Sequence, residues 1–538
     1  MPDHVCRRLM LFLDGTWNQD DDEKPASNIV YLRERLYWGL ATRLREKCRQ
    51  DREQYDALPA NFLKKGMSGI VFDGFEYIIF YDRGVGTGPF FDVIKGGVTG
   101  AGLDQNIRDA YRFLSCWFRP GDEIFVFGFS RGAYTARSLC GYLSAVGLLR
   151  GDACTKDNEE RAWNYYRTPP SERLSGEWYA LRHSAGGQSV MNEDESLRVR
   201  ALCVFDTVGA LGIPAEGLRR FNRAKYEFHD TEVNALVDIQ LHAVAIDEPR
   251  REFEPSMWTK PKFKLTDPKK VPIEQAWFPG AHSDVGGGYV EWNQGKTGLF
   301  VLPLTWMLQR LQSLVETTPP GAAPPPADAV KPNYQAAVPF YMLDLLDEHR
   351  AINPETQRLA LAEQHKPWAA LSLVRPDRKR IINQIPLPNK EIAEQAGRVP
   401  FSDPIGEMVH VAAFDRFKSA KGVTVDKGKV MNVVGKLNVF AANLYRPKNL
   451  IAVIPYVAAT YLRKYPIDDA WSKIVKPIFS WKEVGVVDWN GKPLDPERLE
   501  DVKRVMQLLP SPRDIGLPEM PVAMRAILRR PTDVAPAV

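Results

Sequence analysis

The stretch Ile124-Phe125-Val126-Phe127-Gly128-Phe129-Ser130-Arg131-Gly132 decides the fold of this chain. Its consecutive apolar residues are typical of a strand that is buried on both faces, as in a parallel sheet. The residues that follow fit the pattern G-x-S-x-G, with Gly128 and Gly132 flanking a serine. Residues 133–149 then predict a helix. A serine in such a strand-turn-helix unit is presented at the edge of the sheet, because glycine neighbours let strand and helix approach closely.

Buried strands and helices alternate on both sides of this unit. Apolar runs that stop at turn residues predict strands at 9–13, 77–81, 199–205 and 275–278. Helices are predicted at 28–45, 103–118, 233–247 and 302–314. This alternation predicts an α/β fold with a mostly parallel, doubly wound sheet.

Two segments interrupt or end the alternation. The first, about 151–197, is rich in Trp, Tyr and charge and is predicted to be a helical cap-like insertion. The second, 317–332, contains two runs of proline and is predicted to be a linker or surface loop. The expected organisation is therefore an α/β domain over 1–316 and a C-terminal accessory region over 333–538, with helical pieces near 356–364 and 499–509.

The composition excludes several classes of protein. The 538 residues carry 71 Lys+Arg against 67 Asp+Glu and are 44% hydrophobic, which excludes a disordered chain and argues against a nucleic-acid partner. The six cysteines stand singly, without the spacing of a zinc site, so neither a metal nor a disulfide framework is predicted. The glycine-rich loop 84–88 lacks the spacing of nucleotide-binding loops, and no cofactor is expected.

Membrane segments are not predicted, although a membrane surface is one alternative. About five apolar residues precede Asp14, too few for a signal peptide, so synthesis in the cytoplasm is expected. The basic residues between 416 and 448 precede the apolar segment 450–462. This pattern fits either an anionic membrane interface or, as the favoured alternative, a solvated basic face beside a buried helix.

The chemistry predicted at the sheet edge is nucleophilic catalysis. Ser130 needs a base and an acid, and in this type of fold they follow in the order nucleophile, acid, base. Asp206 follows the strand 199–205, and His282 lies in a glycine-rich loop after the strand 275–278. Left open are a helix-capping role for Ser130, a base at His242 or His410, and an acid at Asp247 or Asp284.

An oxyanion hole is expected beside the serine. The backbone N–H of Arg131, the residue after the nucleophile, is the first expected donor. Gly15, in the loop after the first strand, is the second. The loop 84–88 is the competing source of that second donor.

Five sequence blocks resemble a known family. The chain is similar to a bacterial and fungal α/β-hydrolase domain, formerly of unknown function, that is found in phospholipase effectors of type VI secretion systems. The resemblance covers about residues 9–290 and implies the triad Ser130, Asp206 and His282, in agreement with the spacing. The blocks are FLDGTWN (12–18), YDRGVGTG (81–88), GFSRGAYTAR (128–137), FDTVG (205–209) and FPGAHSDVGGGY (278–289).

The resemblance implies a serine hydrolase that cleaves carboxylic esters of membrane glycerophospholipids, a phospholipase A-type reaction without a metal. It also implies contact with a membrane surface, export by a type VI system, a secretion spike protein and an immunity protein. Two other functions stay open: a soluble cytoplasmic hydrolase of small esters or thioesters, and a non-catalytic binding protein on a hydrolase shell.

Overall fold

The computed structural model describes most of the part of the chain that carries the motifs. The described residues are 6–15, 26–48, 68–72, 75–84, 100–184, 186–192, 197–208, 234–250, 253–259, 272–289, 298–317, 364–365, 380, 405–419, 425–426, 447–464 and 483–511.

A nine-stranded sheet forms the centre of the fold. Its strands are β1 Cys6–Leu13, β2 Ser68–Phe72, β3 Phe75–Asp82, β4 Glu123–Phe129, β5 Val199–Phe205, β6 Val237–Ala245, β7 Ile273–Phe278, β9 Glu407–His410 and β11 Gly485–Val487, with a separate short pair, β8 Gln364–His365 and β10 Val425–Asp426. In spatial order the nine strands run β11-β9-β7-β6-β5-β4-β1-β3-β2; β2 is antiparallel to β3, and the other eight described strands are mutually parallel. The predicted mostly parallel α/β fold is confirmed.

Helices cover both faces of the sheet, because successive side chains of each buried strand point to opposite faces. The helices are α1 Asn28–Cys48, α2 Gly100–Trp117, α3 Arg131–Val146, α4 Lys156–Arg167, α5 Ser175–Arg182, α6 His282–Gly286, α7 Val301–Thr317, α8 Val411–Lys418, α9 Lys448–Leu462 and α10 Leu499–Leu508. In β4, Phe125 and Phe127 pack in a cluster with α1 and α7, whereas Ile124 and Val126 pack with α2 and α3.

One predicted helix is wrong. The segment 233–247 forms the strand β6, all nine residues of which are buried. It pairs with β5 on one side and β7 on the other, and its buried polar side chains are hydrogen-bonded: His242 to Thr207 and Gln275, and Gln240 to the carbonyl oxygen of Asn234. Residues 237–242 of this strand, VDIQLH, alternate apolar and polar side chains, which is the period of a strand, and the helix prediction overlooked it.

The described helices of the insertion 151–197 pack on the flank of the fold. Glu159 of α4 accepts hydrogen bonds from Arg108 and Arg112 of α2. Arg182 of α5 donates to the carbonyl oxygen of Val146, the last residue of α3. At 1.5 Å per helical residue, that end of α3 lies about 24 Å from Ser130. These contacts do not support a cap over the serine.

The region beyond 332 takes part in the main sheet. Strands β9 and β11 continue it beyond β7, and α8, α9 and α10 share a hydrophobic cluster with Val244 of β6 and Trp277 of β7. The linker 317–332, apart from Thr317, and the helical piece near 356–364, apart from Gln364, lie outside the described residues, so the domain boundary stays a prediction.

The apolar segment 450–462 forms most of α9, and its residues Val453 and Val457 are buried in that cluster. Most of the basic residues that precede it lie outside the described part of the chain. Among the described helices, none combines the length and the hydropathy needed to cross a membrane.

Candidate active site

Ser130 occupies a sharp turn between β4 and α3. Its backbone has φ 58° and ψ −121°, in a region that non-glycine residues rarely adopt. A Cβ on Gly128 would lie 2.6 Å from the Cα of Ala133, and one on Gly132 would lie 2.1 Å from the carbonyl oxygen of Leu13. Both glycines are therefore required for α3 to begin directly beside the sheet.

The structure brings the three predicted residues into one hydrogen-bonded chain. The Nε2 atom of His282 lies 2.8 Å from the Oγ of Ser130, and its Nδ1 lies 2.6 Å from the Oδ2 of Asp206. Ser130 follows β4, Asp206 follows β5, and His282 begins α6 after β7. The carboxyl ends of parallel strands meet at one sheet edge, which is why residues 76 and 152 positions from His282 meet there.

The Asp206 carboxylate is fully buried and receives hydrogen bonds on both oxygens. Oδ1 accepts from the backbone N–H of Ala245 at 2.9 Å and from Nη1 of Arg380 at 2.5 Å. Oδ2 accepts from His282 and from Nη2 of Arg380 at 2.8 Å. Burial alone would raise the pKa of Asp206, but Arg380 and His282 outweigh it and hold the pKa well below its usual range.

The ring of His282 lies between two aromatic side chains. The Phe129 ring is 4.7 Å away and the Phe253 ring meets it edge-on at 4.8 Å, measured between ring centroids. Burial lowers the pKa of His282, and the bond to Asp206 opposes that shift without cancelling it. The backbone N–H of His282 donates to Glu248, whose carboxylate is paired with Arg250. A neutral imidazole beside a serine hydroxyl is equipped to act as a base.

The alternative histidines have structural contacts. The Nε2 of His242 accepts from the backbone N–H of Thr207 at 3.1 Å, and its Nδ1 bonds Gln275. The Nδ1 of His410 accepts from the N–H of Ala412 at the start of α8. Burial, together with nearby cations for His242, lowers the pKa of each to about 3, so both are neutral at ordinary pH.

The alternative acids hold the turn that carries His282. Asp247 accepts from the backbone N–H of Gly280 at 2.7 Å, and Asp284 accepts from that of Ala281 at 2.9 Å. The carboxylate that bonds the ring of His282 is that of Asp206.

The two expected oxyanion donors differ in the hydrogen bonding of their backbone N–H groups. The N–H of Arg131 belongs to the first residue of α3, where no intrahelical acceptor exists. The N–H of Gly15 instead donates to the Oδ1 of its neighbour Asp14 at 2.7 Å, although Gly15 lies against Ser130. Gly84, the described residue of the competing loop, lies against the same place, because a Cβ on it would lie 2.6 Å from the carbonyl oxygen of Asp14; residues 85–88 lie outside the described part of the chain.

Among the residues that the structure describes, no group of three or more His, Cys, Asp or Glu side chains could hold a metal ion.

Sequence reasoning missed Arg380, Glu248 and Phe253. Arg380 is one of several basic residues in the segment VRPDRKR, and no local spacing distinguishes it. Glu248 and Phe253 follow β6, whose assignment as a helix hid that a loop leaves the sheet at the same edge as Ser130.

The fold and the site define a class of protein. A parallel sheet with a G-x-S-x-G turn and a Ser-His-Asp hydrogen-bonded chain at its carboxyl edge is the arrangement of α/β-hydrolase-like proteins. The sequence model of the family described as "T6SS, Phospholipase effector Tle1-like, catalytic domain" matches residues 7–310, more than half of the chain. The chain belongs to this family.

The individual proteins that the chain resembles share less than 30% sequence identity with it. The uncharacterized protein YEL023C of Saccharomyces cerevisiae is 29% identical over 205 residues, which is 35% of this chain and 28% of the yeast protein. A Tle1 effector bound to the VgrG spike of the type 6 secretion system is 18% identical, with a TM-score of 0.24, over 53% of this chain and 52% of that chain. An uncharacterized protein from Pseudomonas aeruginosa is 17% identical, with a TM-score of 0.28, over 56% and 44%. The chain thus spans about a quarter to a half of the length of these relatives.

Proposed function

We propose that this protein is a serine hydrolase that cleaves an acyl ester of membrane glycerophospholipids, a phospholipase A-type reaction. The observation that carries the serine mechanism is the chain of hydrogen bonds from Ser130 through His282 to Asp206 at a strained turn. Membership of a family described by its phospholipase effectors supports the lipid substrate.

In the first half of the proposed reaction, Ser130 is acylated. The Nε2 of His282 takes the proton of Ser130 as Oγ attacks the acyl carbonyl carbon. Asp206 accepts the Nδ1–H bond, which fixes the tautomer of His282 and stabilises its cation. When the tetrahedral intermediate collapses, the ester C–O bond breaks and Nε2–H protonates the lysophospholipid oxygen that leaves.

In the second half, water replaces the lysophospholipid. His282 takes a proton from the water, whose oxygen attacks the acyl carbon. Collapse returns the proton to the Oγ of Ser130 and releases the fatty acid. Each proton taken up by His282 is given back within the same half-reaction, so no other co-reactant is needed.

The oxyanion is proposed to lie at the N-terminus of α3. The amide of Arg131 belongs to the first turn of α3, where N–H groups lack intrahelical acceptors and the helix dipole favours negative charge. For Gly15 to be the second donor, its N–H must leave the Oδ1 of Asp14 when substrate binds.

The biological setting is proposed from the family. A type VI effector is exported, is carried by a spike protein, meets the membrane of the target cell and is neutralised in the producing cell by an immunity protein. Each of these partners is a proposal for this chain.

The test is fatty-acid release from mixed anionic phospholipid vesicles, with a short-chain p-nitrophenyl ester assayed in parallel. Wild type is compared with Ser130→Ala and with Ser175→Ala, a matched change at an exposed position of α5. We expect release from vesicles that is lost in Ser130→Ala alone. Cleavage of the short ester without vesicle hydrolysis would instead identify a small-ester hydrolase. Folded protein that hydrolyses neither substrate would contradict the proposed enzymatic activity.

A further inference from the structure

Arg380 comes from beyond the segment that matches the family and reaches the centre of the site. It is 5% exposed, and its two terminal nitrogens bond the two carboxylate oxygens of Asp206. The same guanidinium donates to the carbonyl oxygen of Ala245 at the end of β6, at 2.8 Å, and to that of Phe253. One side chain thus joins the acid, the end of β6 and the residue whose ring packs on His282.

We propose that Arg380 is a positioning residue of the Ser130–His282–Asp206 triad, so that the C-terminal region completes the hydrolase site. This inference rests on the proposed serine mechanism. A planar guanidinium that bonds both carboxylate oxygens defines the plane of the carboxylate, which a single hydrogen bond from His282 cannot do. The plane in turn fixes the line from Oδ2 through the imidazole to the Oγ of Ser130.

The charge of Arg380 has a separate effect. A cation that neutralises Asp206 weakens the attraction of that carboxylate for a protonated His282, and the imidazole therefore stays neutral to lower pH. The charged groups around the ring are Asp206 from β5, Glu248 and Arg250 from the loop after β6, and Arg380. Replacing Arg380 by a neutral side chain leaves Asp206 and Glu248 against Arg250 alone, so the pKa of His282 should rise.

The two effects make Arg380 testable apart from folding. Arg380→Met removes both the charge and the two parallel hydrogen bonds of the guanidinium. Arg380→Lys keeps the charge but cannot make that planar pair of hydrogen bonds. Arg7→Met is the matched control, because Arg7 makes a similarly buried two-point pair with Asp122, at 3.0 and 2.6 Å, at the opposite edge of the sheet.

The experiment uses the full chain and two readouts. The first is the rate of labelling of Ser130 by a fluorophosphonate as a function of pH, and the second is the pKa of His282 from the NMR shift of ¹³C-labelled histidine, assigned with His282→Asn. For Arg380→Met we expect labelling slower by roughly 10–100-fold. We also expect the acid limb of the pH–rate curve, where the rate falls as His282 is protonated, to lie at a pH higher by about one unit. Arg380→Lys should keep the wild-type limb with a reduced rate, and Arg7→Met should change neither.

A folded Arg380→Met protein with the wild-type rate and limb would overturn the inference. If that variant does not fold, Arg380→Lys decides: a wild-type rate would overturn the positioning role, and a reduced rate with an unchanged limb supports it. Failure of wild type itself to react would contradict the proposed serine mechanism, whereas the NMR comparison would still test the electrostatic effect of Arg380 on His282.

Discussion

Ser130 and Asp206 stand one residue beyond the paired ends of two adjacent strands, and both have a positive φ, 58° and 37°. They are the two non-glycine residues with this backbone among those that the structure describes. Such a conformation costs about 1–3 kcal/mol at each residue and persists only where the surroundings enforce it. The N–H of Ser130 bonds the carbonyl oxygen of Phe205 at 3.1 Å, which couples the two turns directly. The strain is concentrated where the hydroxyl and the carboxylate must both face His282.

Asp206→Asn should abolish most activity while keeping the backbone, because asparagine tolerates a positive φ. The amide cannot hold the tautomer of His282 or stabilise its cation, and we expect kcat to fall by roughly 10³–10⁴-fold. Arg380 would also be left without its counter-charge, at a cost of about 3–5 kcal/mol in the free energy of unfolding. Urea unfolding and ester hydrolysis measure the two effects. Asp122→Asn, which breaks the pair with Arg7, should lose stability without the specific loss of kcat.

Gly132→Ala should prevent the turn at Ser130 from forming. The added methyl group would meet the carbonyl oxygens of Leu13 and Asp14 at 2.1 and 2.5 Å, and backbone atoms of a central strand cannot move away cheaply. We expect a loss of about 3 kcal/mol or more, or failure to fold, in thermal unfolding. Gly176→Ala is the control, since a Cβ there meets nothing within 4 Å and should be neutral or slightly stabilising. Equal melting temperatures for the two variants would contradict this account of the turn.

The acid limb of kcat/KM should lie below the ordinary histidine pKa of 6.5, because burial lowers the pKa of His282 and the base must be neutral. Activity should therefore be retained at pH 6. Glu248→Gln should move the limb to still lower pH, since Glu248 raises the pKa of His282 and its removal disfavours the cation. A short-ester assay from pH 4.5 to 8 at constant ionic strength checks both statements. A limb above pH 6.5, or a shift upward in Glu248→Gln, would refute them.

Stability should fall as the pH is lowered from about 6.5 towards 4, through His242 and His410. Both have folded-state pKa values of about 3, whereas the unfolded chain takes up protons at about 6.5. The unfolded state then binds more protons, and each histidine contributes up to about 1.4 kcal/mol per pH unit within this window. Asp206 acts in a separate window, since its lowered pKa removes stability only below about 3.8.

Urea unfolding at pH 7, 6, 5 and 4 measures this slope. His410→Asn keeps a side-chain acceptor at the start of α8 and removes one titrating group, so its slope should be smaller by one proton than that of wild type. An identical slope in the two proteins would show that His410 is not the group responsible.

Much of the site at the carboxyl edge of the sheet could be predicted from local sequence patterns. The run before Ser130 and its two glycines predicted strand, turn and helix, and Asp206 and His282 were picked out because each follows a predicted strand. In parallel sheets such positions meet at one edge whatever the separation along the chain. The family blocks fell on the same residues, and the family model covers them.

Other features depended on which elements become neighbours. Strand β6 was mistaken for a helix although residues 237–242 alternate apolar and polar side chains. That all nine of its residues are buried, the polar ones included, follows only from its central place in the sheet between β5 and β7. The segment 151–197 was predicted to be a cap-like insertion, and only its contacts show where its helices pack: Glu159 bonds Arg108 of α2, and Arg182 bonds the far end of α3.

The sequence by itself determined most of the alternation of strands and helices and the serine turn, and it favoured Asp206 and His282 as acid and base over the alternatives left open. The turn is a property of local backbone geometry within one strand-turn-helix unit, whereas the acid and the base were chosen because the carboxyl ends of parallel strands share one edge. Only the tertiary structure decided that β9 and β11 extend the sheet and that Arg380 bonds Asp206 across 174 positions. An ion pair of that kind depends on burial and on the closure of distant segments around one carboxylate, and neither leaves a pattern in the residues nearby.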